Sequence, residues 1–409
     1  MKKKAVITGM GVVSPLGIGH QDFWDNLVSG NSAIAPMECL DLSKYECKNG
    51  AEVKGLNPEK FLGRKGLRYL NKGTKFLGSS AKLAVDDANL EIDEELANDT
   101  GILIGSSLGN FSQTTDYFHN IIREGPSNLS PMQSYDVALN SSINYVSVFF
   151  KMKSFARTIS SGFTSGTDAI GNAIKLIQNG KAKVIIAGGV EQLSLDLYMI
   201  FYMRKMLAGS DGTGNEISMP FDKRRNGFIM SEGSYVFVME DHEHAVSRGA
   251  KIYGEISGYG SLFSGGRNSD IEKRVEKARN TMKLCLDDAG ISTEDIDLIN
   301  ANGNSDKFSD LIEAKAIKEL LKKKGEEVPV HTVKSTLGES YGASGAAQTA
   351  SALLSIKNSL VPPTINCEEK DPECNLNIVN EKLEKEVNTV LINSFDLSGN
   401  NSCLVVKKV

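Results

Sequence analysis

Stacked α/β layers, built as two similar halves, are the architecture this chain of 409 residues predicts. Short β-branched runs alternate with helical patterns throughout, as they do where helices cover a sheet. One helix-to-strand succession recurs in the same order later in the chain, which points to duplication. With 40% of its residues hydrophobic, the chain can bury a large core.

In chain order, the strand candidates include residues 5–8, 102–105, 183–187, 234–239, 297–301 and 389–393. Between them, residues 272–289 place Val275, Ala278, Met282, Leu286 and Ala289 on one helical face. The echo is visible in the residues. VDDANL (85–90) ends a helix before the strand ILIGS, and LDDAGI (286–291) ends another before DLINA. Likewise AIGNAIKLIQNG (169–180) precedes KVIIAGG, and AAQTASALLSIKNS (346–359) precedes, after an insert, TVLINSF. The halves implied are 1–250 and 251–409. Gly9-Met-Gly11-Val-Val-Ser14 lacks the third glycine of a dinucleotide fingerprint and reads as a tight turn after the first strand.

The formal net charge of −5 favours neither a nucleic-acid backbone nor an anionic membrane surface as partner. Six cysteines (Cys39, Cys47, Cys285, Cys367, Cys374, Cys403) show no CxxC spacing and read as reduced thiols. Of the histidines, His242 and His244 lie together in a charged stretch that reads as a solvated helix start, so no metal site is expected. The lead-in MKKKAVITGMGVV is broken by glycines, unlike a signal peptide, and no apolar run approaches the roughly 20 residues of a membrane span. A cytoplasmic protein is expected.

The blocks ITGMGVVSPLG, FWDNLVSGNSAI, SGTDAIGNA, IIAGGVEQ, MPFDKRRNGFIMSEG, INANGNSD, KSTLGESYGASGAA, VPPTIN and NSFDLSGNN carry a family pattern. In their order and spacing the chain resembles the elongating β-ketoacyl synthases, the condensing enzymes of fatty-acid and polyketide synthesis. The resemblance implies a thiolase fold, a duplicated αβαβα layered architecture. It also implies no cofactor and an acyl carrier protein as partner. In that family a cysteine at a helix N-terminus takes the acyl chain as a thioester, activated by the helix dipole and an oxyanion hole of backbone N–H groups. Two histidines then assist malonyl decarboxylation, and a lysine orients them.

This chain departs from the pattern at each of those positions but the lysine. Phe163 stands where the nucleophile belongs, Asn302 at the first histidine and Glu339 at the second. Gln348 replaces a glutamate, and the gating segment Gly-Phe-Gly-Gly reads Asp396-Leu397-Ser398-Gly399. Lys334, Glu313 and Asp310 match. Phenylalanine cannot attack a thioester, so no catalytic residue is expected. Asn302 reads as a satisfied buried amide. Glu339 is expected to pair with Lys334 or a backbone donor.

A scaffold kept while its reactive groups are gone is similar to the chain-length-factor subunits of bacterial type II polyketide synthases. Those typically carry glutamine at the cysteine position. The resemblance implies a heterodimer with an active ketosynthase and a role in shaping its acyl tunnel. The alternatives are a malonyl-thioester decarboxylase or hydrolase using Asn302 and Glu339, or a homodimeric acyl-carrier or ligand-binding module.

Two further expectations rest on the resemblance. The acyl tunnel is lined by Leu108, Phe111, Thr115, Phe118 and Leu397, with a helix from about Ser112 that places Phe111, Thr115 and Phe118 on one face; alternatively these rings pack in the core. The partner interface involves AIGNAIKLI, KVIIAGGV and LYMIFYM (197–203), the last reading equally well as a buried helix.

Overall fold

The computed structural model describes residues 3–128, 136–265 and 270–409. Its main sheet contains β1 (Ala5–Ser14), β2 (Thr100–Gly105), β3 (Ala156–Ile159), β4 (Val184–Glu191), β5 (Gly233–Asp241), β6 (Gly254–Phe263), β7 (Leu298–Asn300), β8 (Val330–His331), β9 (Thr389–Phe395) and β10 (Asn400–Lys407). The order across the sheet is β8-β7-β9-β10-β6-β1-β5-β4-β2-β3. Counted outwards from the central β1–β6 pair, each side runs first, fifth, fourth, second, third strand of its own set. The parallel and antiparallel pairings match as well: β2 runs parallel to β3 and β4, and β7 runs parallel to β8 and β9.

The helices that bear on the site are α1 (Lys72–Asp87), α2 (Phe111–Glu124), α3 (Ser165–Gln178), α4 (Leu195–Tyr202), α5 (Ile271–Ala289), α6 (Lys307–Leu321) and α7 (Ser344–Asn358). Strand alternation assigns side chains to layers. Ile185 and Ala187 of β4 join one cluster with Ile170, Ala173 and Ile174 of α3 and Ala350 and Leu353 of α7. Their neighbours Val184 and Ile186 point the other way, to Leu77, Ala81 and Ala84 of α1. In the other set of strands, Val390 and Ile392 face the α3/α7 layer, whereas Leu391 and Val405 meet Met282 and Cys285 of α5. The result is α1, sheet, α3 with α7, sheet, α5: the five-layered thiolase architecture.

The Gly9-Met-Gly11 segment is not a turn. It lies inside β1, where a side-chain carbon at Gly9 or Gly11 would collide with the backbone of Ala84 or Ser80. Both glycines serve the close approach of α1 to the strand.

The sheet's two ends differ. At β8 the chain covers its own edge, since Val330 exchanges backbone hydrogen bonds with Asn377 and Val379. At β3 the outer edge is unpaired among the described residues, and Ala156 and Arg157 are exposed. Among the described residues no helix is long and apolar enough to cross a membrane.

Candidate functional site

The chain leaves β3, turns through Gly162 at φ +73° and enters α3. This elbow sets Phe163 two residues before the first residue of α3, buried to 5% exposure. Its ring stands edge-on to Tyr341 at 5.2 Å, with Phe201 at 5.9 Å and Phe228 at 6.1 Å. Phe201 in turn stacks on Tyr341 at 5.2 Å. Each such pair adds about 0.5–1.5 kcal/mol beyond simple burial, so the four rings form a rigid plug.

The backbone at the elbow is occupied as well. The Phe163 N–H donates to Asp396 Oδ2 at 2.9 Å. The other oxygen of that carboxylate accepts from the Ser398 N–H at 2.6 Å and from the Ser398 hydroxyl. A backbone N–H at a helix start is a ready donor to a developing oxyanion. Here an internal carboxylate already takes it.

Behind the plug lies a closed polar network. Lys334 is 1% exposed and Glu339 0%. Lys334 Nζ donates to Glu339 Oε2 at 2.8 Å and to Asn302 Oδ1 at 2.9 Å. Glu339 Oε2 also accepts from Asn304 Nδ2 at 3.4 Å, while Oε1 accepts from the Tyr341 N–H at 3.0 Å and the Ser344 hydroxyl. Asn302 Oδ1 takes a second bond from the Phe395 N–H at 3.2 Å, and its Nδ2 is directed to the Ser309 hydroxyl at 3.4 Å. All four acceptor positions of Glu339 are taken, whereas the Asn302 NH₂ is directed to Ser309 through one of its two N–H groups.

The supporting carboxylates are equally engaged. Glu313 accepts from the N–H groups of Asn302 and Gly303, both at 2.8 Å, and from Asn393 Nδ2 at 2.9 Å; burial raises its pKa. Asp310 accepts from the Asn304 and Phe221 N–H groups, both at 2.9 Å, and burial pushes it up to about 7 against the pull of Arg225. Gln348 shows why a glutamate would not fit: its Nε2 donates to the carbonyls of Ala301 (2.8 Å), Asn393 (2.9 Å) and Asn300 (3.2 Å). An ionised carboxylate has no proton for any of the three.

A cavity of about 450 Å³ opens in front of the plug, with Leu108, Leu197, Ile200, Phe201, Phe308 and Leu397 in its wall and Phe163 and Tyr341 at its floor. Of the expected tunnel residues, Leu108 and Leu397 line this space. Phe111, Thr115 and Phe118 do not. They share one face of α2, which starts at Phe111 itself and buries no residue; Phe111 is 41% and Phe118 53% exposed. The alternative that these rings pack in the core is overturned.

The interface expectation needs correction too. AIGNAIKLI forms α3 and KVIIAGGV forms β4, both in the layered centre and mostly buried, with Asn172 and Lys183 their exposed residues. LYMIFYM enters α4, where Leu197, Tyr198 and Phe201 are buried, and so serves as cavity wall. The Asp396 cap and the companions of Phe163 went unassigned in the sequence; an acidic residue in place of a gating glycine was the one available signal.

Models of the Beta-ketoacyl synthase N-terminal domain and C-terminal domain match residues 2–245 and 253–368. The 3-oxoacyl-[acyl-carrier-protein] synthase 2 of Coxiella burnetii is 35% identical, over 100% of this chain and 99% of that protein. The one from Synechocystis is 34% identical, over 100% and 98%. Among solved structures, the ishigamide ketosynthase/chain length factor superposes with a TM-score of 0.90 at 26% identity, over all of both chains. A type II polyketide synthase ketosynthase in complex with its acyl-carrier protein, AntDE:AntF, gives 0.91 at 27%, again over all of both.

Proposed function

From a chain that belongs to the β-ketoacyl synthase family yet fills its own reaction centre, we propose a non-catalytic subunit: a chain-length factor that pairs with an active ketosynthase. The observation that carries this reading is the double occupation of the elbow. The Phe163 side chain offers no nucleophile, and its N–H is already bound by Asp396. Without a nucleophile no acyl-enzyme forms, and without a free donor no tetrahedral oxyanion is stabilised.

The surface supports a partner. The unpaired β3 edge and the exposed Phe111, Phe118 and Ile122 of α2 are features that a soluble chain ordinarily covers. In this reading Leu108, Phe111, Thr115, Phe118 and Leu397 face the acyl chamber of the assembled pair, and an acyl carrier protein delivers the chain to the partner's cysteine. Co-expression with a tagged Cys-His-His ketosynthase of the same genome tests it. The expected result is a stable one-to-one complex that elongates a malonyl-carrier substrate, with the acyl adduct found by intact mass only on the partner. An adduct on this chain, or a monomer that ignores the ketosynthase, overturns the reading.

A further inference from the structure

The open edge of the main sheet carries a charge that the scaffolding role leaves unexplained. β3 has four residues, Ala156–Ile159, and Arg157 stands exposed on it. Its guanidinium carbon lies 5.4 Å from the centre of the Phe155 ring, and among the described residues it makes no hydrogen bond and no ion pair. The chain around it has one sign of charge: residues 137–167 contain Lys151, Lys153 and Arg157 but no aspartate or glutamate. Beside the strand, the helix Ser141–Phe149 leaves Val148 and Phe149 exposed, so the charge lies next to an apolar surface of the kind that partners cover.

Two occupants could pair with this edge: a second copy of the chain, or a strand of another protein. Two copies related by a two-fold axis join edge to edge antiparallel, with the axis perpendicular to the sheet. Such an axis keeps each residue on its own side of the sheet, and residues that face each other across a ladder also share a side. Only residues an even number of positions apart can therefore face one another, and the axis passes through a residue that faces its own copy. Registers that pair three of the four β3 residues centre on Arg157 or on Thr158. The first sets the two Arg157 side chains opposite each other, with Cβ atoms about 4.5–5.5 Å apart; the second sets them on the diagonal, about 7–8 Å apart at the backbone. Like charges so placed weaken the pairing, whereas the guanidinium of the free chain stays hydrated.

We propose that Arg157 bars this chain from pairing with its own copy at β3 and selects a partner whose edge strand places an aspartate or glutamate opposite it. A carboxylate there forms a charge-assisted pair where a second guanidinium would repel, so attraction to the right strand and repulsion of the wrong one both contribute to the choice. The proposal rests on the reading of a ketosynthase as that partner, and it names what makes the pair a heterodimer.

The test is sedimentation velocity on the unmodified chain, on Arg157→Glu, on Arg157→Thr and on an equimolar mixture of the unmodified chain with Arg157→Glu, each variant being compared at an unchanged melting profile. The mixture is expected to associate at least tenfold more tightly than either of its components alone, because each guanidinium then meets a carboxylate. Arg157→Thr should self-associate at least tenfold more tightly than the unmodified chain. In co-expression with the tagged ketosynthase, Arg157→Glu should weaken the complex at least tenfold and Arg157→Lys should keep it. Equal self-association of the unmodified chain, Arg157→Thr and the mixture overturns the bar on self-pairing. An Arg157→Glu chain that binds the ketosynthase undiminished overturns the acidic partner strand. The mixture needs no ketosynthase, so a mixture that fails to associate and a ketosynthase that fails to bind are separate results.

Discussion

Glu339→Gln is the sharpest test of the idea that Lys334 is kept as a structural tie. The replacement preserves shape and removes the charge. Glu339 accepts four hydrogen bonds, two on each oxygen, and Lys334 reaches one of those oxygens at 2.8 Å. A glutamine amide must turn its NH₂ either toward the Lys334 ammonium or toward the Tyr341 N–H, so one donor faces another in either orientation. Both partners are fully buried, and removing one member of a buried pair costs about 3–5 kcal/mol because the other charge is left uncompensated. With a urea slope of about 3 kcal/mol per molar, the unfolding midpoint should fall by about 1–1.7 M. Far-UV and near-UV signals must coincide for that conversion to hold. Adding Lys334→Met to Glu339→Gln removes the stranded charge and should recover part of the loss, a positive coupling of about 1–3 kcal/mol. A single variant that loses less than about 1 kcal/mol refutes the reasoning, because Lys334 would then have another counter-charge.

Phe163→Cys alone should give no malonyl-dependent elongation, since Asn302, Glu339 and the Asp396 cap remain; robust turnover by mass spectrometry would show those positions to be misread. Glu191 is held at about 7 by burial, against the donation of Ser107 and Gly342 N–H groups. Its folded pKa therefore lies above the unfolded value of 4.5, the folded state holds the extra proton, and its contribution to stability is present below pH 4.5 and lost as pH rises to about 7. Glu191→Gln should flatten the stability profile across that window relative to the unmodified chain, and identical slopes would refute the assignment. In the complex with a ketosynthase, Phe111→Ala or Phe118→Ala should lengthen the products while leaving assembly intact. Unchanged chain length at undiminished turnover would remove α2 from the chamber.

The layered fold was legible where strands keep their β-branched runs, as in VIIAGGV and TVLINSF. It was illegible where glycine interrupts a strand for the sake of a helix. β6 reads GEISGYGSLF, and Gly258 and Gly260 lie against Cys285, Ala289 and Thr281 of α5, so packing overrides local propensity there. β1 was cut short at Thr8 for the same reason. In the site, the missing nucleophile and histidines could be read from residue identity alone, because no environment turns phenylalanine into a nucleophile. The filled N–H could not. Asp396 lies 233 residues from Phe163, and only the fold brings the two together.

That cap has a consequence for any attempt to restore activity. Phe163→Cys, Asn302→His and Glu339→His together would replace the reactive groups, but the N–H of residue 163 would still donate to the Asp396 carboxylate, which is anchored in turn by Ser398. An oxyanion arriving there meets a negative charge instead of a free donor. One lost oxyanion donor is worth about 10²–10³ in rate. Asp396→Gly removes the carboxylate and restores the glycine that the family's gating segment carries at this place. The triple variant should therefore take an acyl group from acyl-carrier protein about 10²–10³ times more slowly than the quadruple variant, as followed by intact mass spectrometry at matched folded concentration. If both acylate at the same rate, the Asp396 contact is incidental to the reaction centre, and the proposed lack of condensing activity rests on the side chains of Phe163, Asn302 and Glu339 alone.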